Sequence, residues 1–351
     1  YAATVVRYIR GRDSLERLEA VLKVRGPGPE SSHKTKEIDR LYEAVLVLAL
    51  DDEDLEEYEK ERMQLVLCTV VCAMEPLTVD ALASLIRLKS AQVMDALKPL
   101  WSVLHVSESN TTHRVSTLHA SFPDYMLDPN RSQRFTCNAQ MHHAKLAELC
   151  LGRIGQDPSQ FNICSLQSSY VFDEDVPDID ERVKRAIPMD LVYACQYWAD
   201  HLELGGNSDR QAAELYDFLS KRLLLWMEVM NLTKQMDKAV GQITKAMTWL
   251  QADERPKSTM LLAQDAWRFV ILFATSPVSR STPHLYISML ASWPDHQPVA
   301  HHYTWQAIDL VRIIGIETTE RQLGLLSLIP VGNEVLCVAY SPNGRFFAAG
   351  T

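Results

Sequence analysis

Apolar positions along this chain recur mostly every three or four residues, the spacing of helices buried on one face. Leu15, Leu18, Val21 and Leu22 set a helix over 14–24, which the loop at Gly26-Pro27-Gly28-Pro29 ends. Ile38, Leu41, Tyr42, Val45 and Leu46 set a second, closed by the acidic run 51–61. A third is predicted over 55–74, stopping before Pro76. Thr78 is placed to cap a short helix over 79–88, and Ser90 to cap another over 91–100. The pattern then becomes β-prone in two runs, 101–107 and 113–119, joined by a polar turn at 108–112.

Three helices followed by a hairpin is the order of a winged-helix domain, expected here over 55–130. After Arg131 the spacing is helical again, over 138–154, 189–202, 209–232, 234–250 and 257–274. The intervening loops carry Gly205-Gly206-Asn207 and Arg255-Pro256. Trp198, Trp226, Trp249 and Trp267 fall on successive helices, and such a stripe reads as packing rather than a ligand box. No repeat period is evident, so a helical bundle or irregular α-solenoid is expected. Residues 276–298, rich in Pro and Ser, read as an extended connector. At the end, apolar runs 335–340 and 345–350 flank Ser341-Pro342-Asn343-Gly344, a strong hairpin signal. A strand apolar on both faces needs cover on both sides, which one hairpin does not supply.

Composition narrows the reading. With 351 residues there is room for two or three domains. A net charge of −10 argues against general nucleic-acid affinity, which needs a basic face. The acidic runs 51–61 and 173–181 read as solvated surface. The longest largely apolar run, 65–74, is about half of what crosses a bilayer, so no membrane association is expected. Seven cysteines sit in apolar settings and read as core thiols, which implies a reducing, cytoplasmic compartment. Cys68 and Cys72 share a helix face but have no further soft ligands at metal-binding spacing.

Catalytic spacing is missing. No phosphate loop occurs, since no Gly precedes a Lys, and there is no Gly-x-Gly-x-x-Gly, His-Glu-x-x-His or Gly-x-Ser-x-Gly. The neighbouring pairs His142-His143 and His301-His302 point about 100° apart on a helix, so neither pair alone suits a metal. The chain is therefore expected to hold no enzyme active site and no metal.

One segment stands out, TLHASFPDYM at 117–126. It resembles the His-x-Ser-Phe-x-Asp-Phe/Tyr signature that closes the winged helix of NACHT-type, NLR-like signal-transduction NTPases of the STAND class. That signature corresponds to the Met-His-Asp motif of plant resistance proteins. YAATVVRYI resembles the close of a NACHT module, and VVCAMEPLTVDALASLI with LKPLWSVLHVS its winged helix. FNICSLQSS and LVYACQYWADHL are similar to the helical segment that follows in fungal NACHT–WD-repeat proteins, and PHLYISML continues the order. The last residues, 331–351, resemble the opening of a WD-repeat blade, a unit of roughly 40 to 45 residues.

The resemblance implies a tail of the NACHT module at 1–54, a winged helix at 55–130 and a helical domain at 131–298. A connector at 299–330 and the first strands of a truncated WD-repeat propeller at 331–351 complete it. The chain is then expected to be a segment of a longer protein, without a natural terminus at either end. It would be a non-catalytic relay between an ATPase core and a propeller in cis, with protein partners. ADP or ATP and Mg belong to the parent protein, and this segment carries no cofactor of its own. By the same resemblance His119 reaches the ADP β-phosphate in the closed state, with Ser121, Phe122 and Asp124 completing the motif. Read from the residues alone, His119 is an ordinary half-buried histidine at a strand end. A helical protein-interaction scaffold without a nucleotide switch is the alternative function. A DNA-binding winged helix is rejected, because the helix over 91–100 offers only Lys98 and Gln92 to read bases.

Overall fold

The computed structural model describes residues 32–51, 55–107, 113–252, 256–303, 337–340 and 347–350, and position 6. The helix expected over 14–24, the YAATVVRYI stretch beyond position 6, and all of 304–336 lie outside these. The described chain is mainly helical, with one small three-stranded sheet and a separate two-stranded pair.

Helix α1 (Ser32–Leu50) buries Leu41, Tyr42, Val45, Leu46 and Ala49 on one stripe. Helix α2 (Glu57–Cys72) begins where Glu56 N–H donates to Glu59 Oε2 at 3.2 Å. Strand β1 (Leu77–Thr78) leads into α3 (Val79–Leu85), where Thr78 Oγ1 accepts from Ala81 N at 3.1 Å as its sequence position requires. Ser90 is not the cap of the next helix. It is the first residue of α4 (Ser90–Leu97), and its hydroxyl donates to Asp80 Oδ1 at 2.5 Å. Gln92 Oε1 instead turns back to accept from Lys89 N at 2.9 Å.

Pro99 tightens the last residues before the strands into a single 3₁₀ turn, Lys98–Leu100, and residues 101–103 are spent on a further turn. The strands are therefore shorter than the β-prone runs: β2 (Leu104–Val106) and β3 (Arg114–Thr117). The sheet order is β1-β3-β2, antiparallel, with Val115 opposite both Leu77 and Val106. Leu82, Val93, Leu97, Leu100, Leu104 and Val115 close the core beneath it. Each contributes roughly 1.5–3 kcal/mol by leaving water.

Helix α5 (Ser121–Leu127) and the single turn α6 (Pro129–Ser132) follow, with Asp128 Oδ1 accepting from Asn130 N between them. Next come α7 (Ala139–Gly155), capped by Asn138, then α8 (Ile179–Ala186) and α9 (Met189–Leu204). The rest is α10 (Asp209–Lys221), α11 (Leu223–Leu232), α12 (Met236–Gln251), α13 (Lys257–Thr275) and α14 (Pro298–Tyr303). Helix α9 lies between α7 and α12 and buries Leu191, Ala194, Cys195, Trp198 and Leu202. Trp198 and Trp226 meet edge to face at 6.0 Å inside this core, and Trp249 is also buried. Trp267 is half-buried, its indole donating to Thr244 Oγ1.

Three expectations change here. The helix over 209–232 is broken at Arg222 (φ −129°, ψ 0°). Its guanidinium donates to Gly155 O at 2.7 Å and Ser159 O at 2.8 Å, satisfying a carbonyl at the C-terminus of α7. The stretch 276–298 is not extended. It forms a 3₁₀ turn (Pro277–Arg280) and a π-helical turn (Leu285–Leu290), burying Leu285, Leu290 and Trp293. Asp173 accepts from Thr282 N at 2.9 Å, and Asp265 accepts from Val299 N at 2.8 Å, so carboxylates anchor these turns. Asp173 is thereby engaged rather than simply solvated, and burial raises its pKa.

Strands β4 (Cys337–Tyr340) and β5 (Phe347–Gly350) pair antiparallel, Tyr340 opposite Phe347, as the hairpin signal predicts. Their connecting turn is outside the described residues.

Candidate functional site

Strand β3 ends at Thr117 and α5 begins at Ser121, so His119 sits in the turn between them. It is exposed, not half-buried. The ring is nevertheless held: Ser121 N donates to Nδ1 at 3.1 Å, and Ser121 Oγ lies 2.7 Å from the same nitrogen. Phe122 points the other way and is fully buried. Asp124 is exposed in the first turn of α5, where a carboxylate suits the helix dipole. The motif therefore divides into an anchor, Phe122, and a presented ring, His119. Asp124 makes no hydrogen bond with the imidazole among the described residues.

Helix α1, set by its apolar spacing, packs on this motif in a way the spacing does not signal. Tyr42 of α1 packs its ring edge-on to Phe122 at 5.1 Å and against Tyr125 at 5.4 Å. Its hydroxyl lies 2.8 Å from Ser121 Oγ. Burial raises the Tyr42 pKa, so this hydroxyl keeps its proton at neutral pH. Burial, with the carboxylates of Glu43 and Asp39, likewise pushes Tyr125 up to about 12. Arg131 grips Asp39 of α1 with two bonds, 2.7 and 3.1 Å, and Arg134 pairs with Asp51 at the end of α1. Both Arg131 and Asp39 are largely shielded from water, which favours a forked pair over a loose surface one. Tyr42 looked like one more apolar stripe position; nothing in the spacing marked its hydroxyl as a contact to residue 121.

A second polar cluster joins α2, α7 and α9. His142 and His143 do not act as a pair. His142 Nε2 lies 3.1 Å from Thr69 Oγ1, and His143 Nδ1 lies 2.9 Å from Nδ1 of His201. Tyr193 accepts from Met74 N at 3.1 Å and meets His201 Nε2 at 2.8 Å. His201 is completely buried, and its pKa falls to about 3, by burial first and then by the neighbouring His143 and His142. Beside this network Cys72 Sγ lies 3.6 Å from Cys137 Sγ. Hydrogen bonding to Cys137, then burial, drives the Cys68 and Cys72 thiols far above their usual range. The six described cysteines outside β4 are free, buried thiols. Among the described residues no three His, Cys, Asp or Glu side chains converge on a point that could hold a metal ion.

A cleft of about 710 Å³ opens between α7 and α10, lined by Arg87, Lys145, Gly152, Arg210 and Phe218 among others. Its charges are largely paired within the wall, Arg210 with Glu148 and Glu214, and Lys145 with Glu148. A second cleft of about 570 Å³ lies beside Tyr216, Arg222 and His302. Neither includes a residue of the 119–124 motif. No described helix is long and apolar enough to cross a membrane.

No family model, no curated protein and no solved structure matches this chain.

Proposed function

We propose that this chain is the regulatory relay segment of a NACHT-type, nucleotide-dependent switch protein with WD repeats, and that His119 is its phosphate-facing residue. The observation that carries this reading is the division of labour at 119–122. His119 is exposed with its ring tethered, while Phe122 alone fills the core. A histidine kept only for packing would be expected to bury its ring. The order α2-β1-α3-α4-β2-β3, with β1 and β2 flanking β3, supports a winged helix over 55–130. The β4–β5 pair supports the opening of a WD-repeat blade.

ADP fits this site only at one point. His119 offers a single ring N–H to an anionic oxygen, and the exposed Asp124 carboxylate adds no attraction for phosphate. The remaining contacts to the nucleotide, and any Mg, would come from an ATPase core in cis. When bound, ADP supplies negative charge that exists for His119 only while the domains are closed, which is what lets a side chain on a moving domain report nucleotide state.

In the parent protein, His119→Ala is expected to speed ADP dissociation roughly ten- to a hundredfold, the worth of about 1.5–3 kcal/mol for a hydrogen bond to a charged group. An unchanged ADP off-rate would defeat the switch reading. A protein-interaction scaffold is the second reading, and the exposed run Tyr170, Val171 and Phe172 favours it, Tyr170 being 98% exposed. That reading survives a failed ADP test, because it places no weight on His119.

A further inference from the structure

The hydrogen bonds at His119 decide which of its nitrogens carries the proton. A backbone N–H can only donate, and Ser121 N donates to Nδ1. Nδ1 is therefore the acceptor, and the neutral ring has its proton on Nε2. The Ser121 hydroxyl, 2.7 Å from Nδ1, then points its hydrogen at the ring. Its oxygen is left to accept from Tyr42, 2.8 Å away. The donors run one way, from Tyr42 O–H to Ser121 Oγ and from Ser121 O–H to His119 Nδ1.

We propose that Tyr42 and Ser121 are positioning residues for His119, holding it as the Nε2–H tautomer with that N–H turned outward, and that they do so only while α1 is docked. The use assigned to this N–H, donation to a phosphate, rests on the switch reading above; the positioning itself does not. Helix α1 reaches the imidazole through one hydroxyl, and that hydroxyl is placed by the Tyr42 ring on Phe122 and Tyr125 and by the forked Asp39–Arg131 pair. A displacement of α1 removes Tyr42 from Ser121 and frees the serine hydroxyl to turn away. The ring then loses its stronger Nδ1 donor and exchanges between tautomers. Whatever precedes α1 in the chain thereby gains a handle on His119 without touching it.

Histidine-selective nitrogen-isotope labelling of this chain reads the tautomer directly, because protonated and bare ring nitrogens resonate far apart. The His119 signals are assigned by their loss in His119→Gln. At mildly alkaline pH the unmodified chain is expected to give a bare Nδ1 and a protonated Nε2. Tyr42→Phe keeps the aromatic contacts and removes the hydroxyl, and Ser121→Ala removes the relay. Each is expected to raise the share of the Nδ1–H form several-fold, the size of change that losing one neutral hydrogen bond produces. Ser121→Thr, which restores a hydroxyl, is expected to bring it back. Asp39→Ala touches neither group and is expected to move the tautomer in the same direction by loosening α1. Unchanged signals from the remaining histidines report an intact fold. An Nδ1–H form in the unmodified chain, or a His119 spectrum that neither Tyr42→Phe nor Ser121→Ala moves, overturns the proposal. No response to Asp39→Ala overturns its dependence on α1. Where the tautomer responds as expected but neither His119→Ala nor Tyr42→Phe alters ADP dissociation from the parent protein, the positioning stands and the phosphate reading falls.

Discussion

His119 and His201 are both tied to a tyrosine hydroxyl, one through Ser121 and the other directly, and they differ in what is left over. At His119 the relay ends on Nδ1, so the free N–H is on Nε2 and faces out. At His201 the Tyr193 oxygen accepts from Met74 N, and the same hydroxyl meets Nε2 at 2.8 Å. The other ring nitrogen, Nδ1, meets His143 Nδ1 at 2.9 Å. Every polar atom of the buried ring is thereby used inside the protein, as burial demands. Among the described residues the exposed ring keeps one donor unspent. A histidine is available for chemistry here according to where its last hydrogen bond is made, more than according to whether it is held.

The largest expected effect tests the sealed half of that contrast. The folded-state pKa of His201, about 3, lies below its ordinary value of 6.5. The unfolded chain therefore takes up this proton first, so the contribution to stability is complete above about pH 6.5 and is lost as pH falls toward 3. One unit is worth about 1.4 kcal/mol, so the whole loss is about 5 kcal/mol at most, with about 2 kcal/mol falling between pH 6.5 and 5. His142 and His143, also lowered by burial, act in the same direction. Urea midpoints taken at half-unit pH steps are expected to fall through this window before carboxylates titrate. In His201→Gln the slope is expected to be shallower, though the variant starts less stable. A midpoint flat from pH 7 to 5 would mean that the network admits water and a proton at little cost.

The next contrast lies between the two tyrosine hydroxyls. Tyr193→Phe leaves Met74 N–H and His201 Nε2 without a partner in a buried setting, which costs about 1–3 kcal/mol. Tyr42→Phe removes one bond to a serine that can turn to water, at a cost of about 1 kcal/mol or less. Equal losses in chemical denaturation of the two variants would erase the distinction between a structural and a presenting tyrosine.

These hydroxyls also mark the limit of what the residues alone disclose. Periodicity placed α1, α2 and α9 because an apolar stripe suffices to define a helix, and Thr78 was legible as a cap because its geometry is local. Ser90 misled, because the helix is closed one residue earlier, where Gln92 accepts from Lys89 N. The break at Arg222 was invisible, because Leu223, Leu224 and Leu225 continue the apolar run and the cause is a carbonyl of α7 some 67 positions away. Strand β1 has two residues, too few to show a period. Around His119 the motif itself could be read. Tyr42 could not, because 79 positions separate it from Ser121 and its ring fits a core stripe without the hydroxyl.

The smallest expected effect is the most diagnostic. His119→Ala in this chain removes an exposed ring whose loss leaves only Ser121 N–H and Oγ–H, both beside solvent, without their acceptor. The expected change in stability is within about 0.5 kcal/mol, the range of surface substitutions. Phe122→Ala, at a completely buried position between Tyr42 and the core, costs about 3–5 kcal/mol by the cavity it leaves. Asp124→Asn, a neighbour in the same motif, removes a charge from the first turn of α5 and costs a few tenths of a kcal/mol through the helix dipole. Thermal melts of the three variants at one pH rank them. A His119→Ala loss approaching that of Phe122→Ala would make the ring a packing element after all, and would remove the distinction between a presented and a sealed histidine.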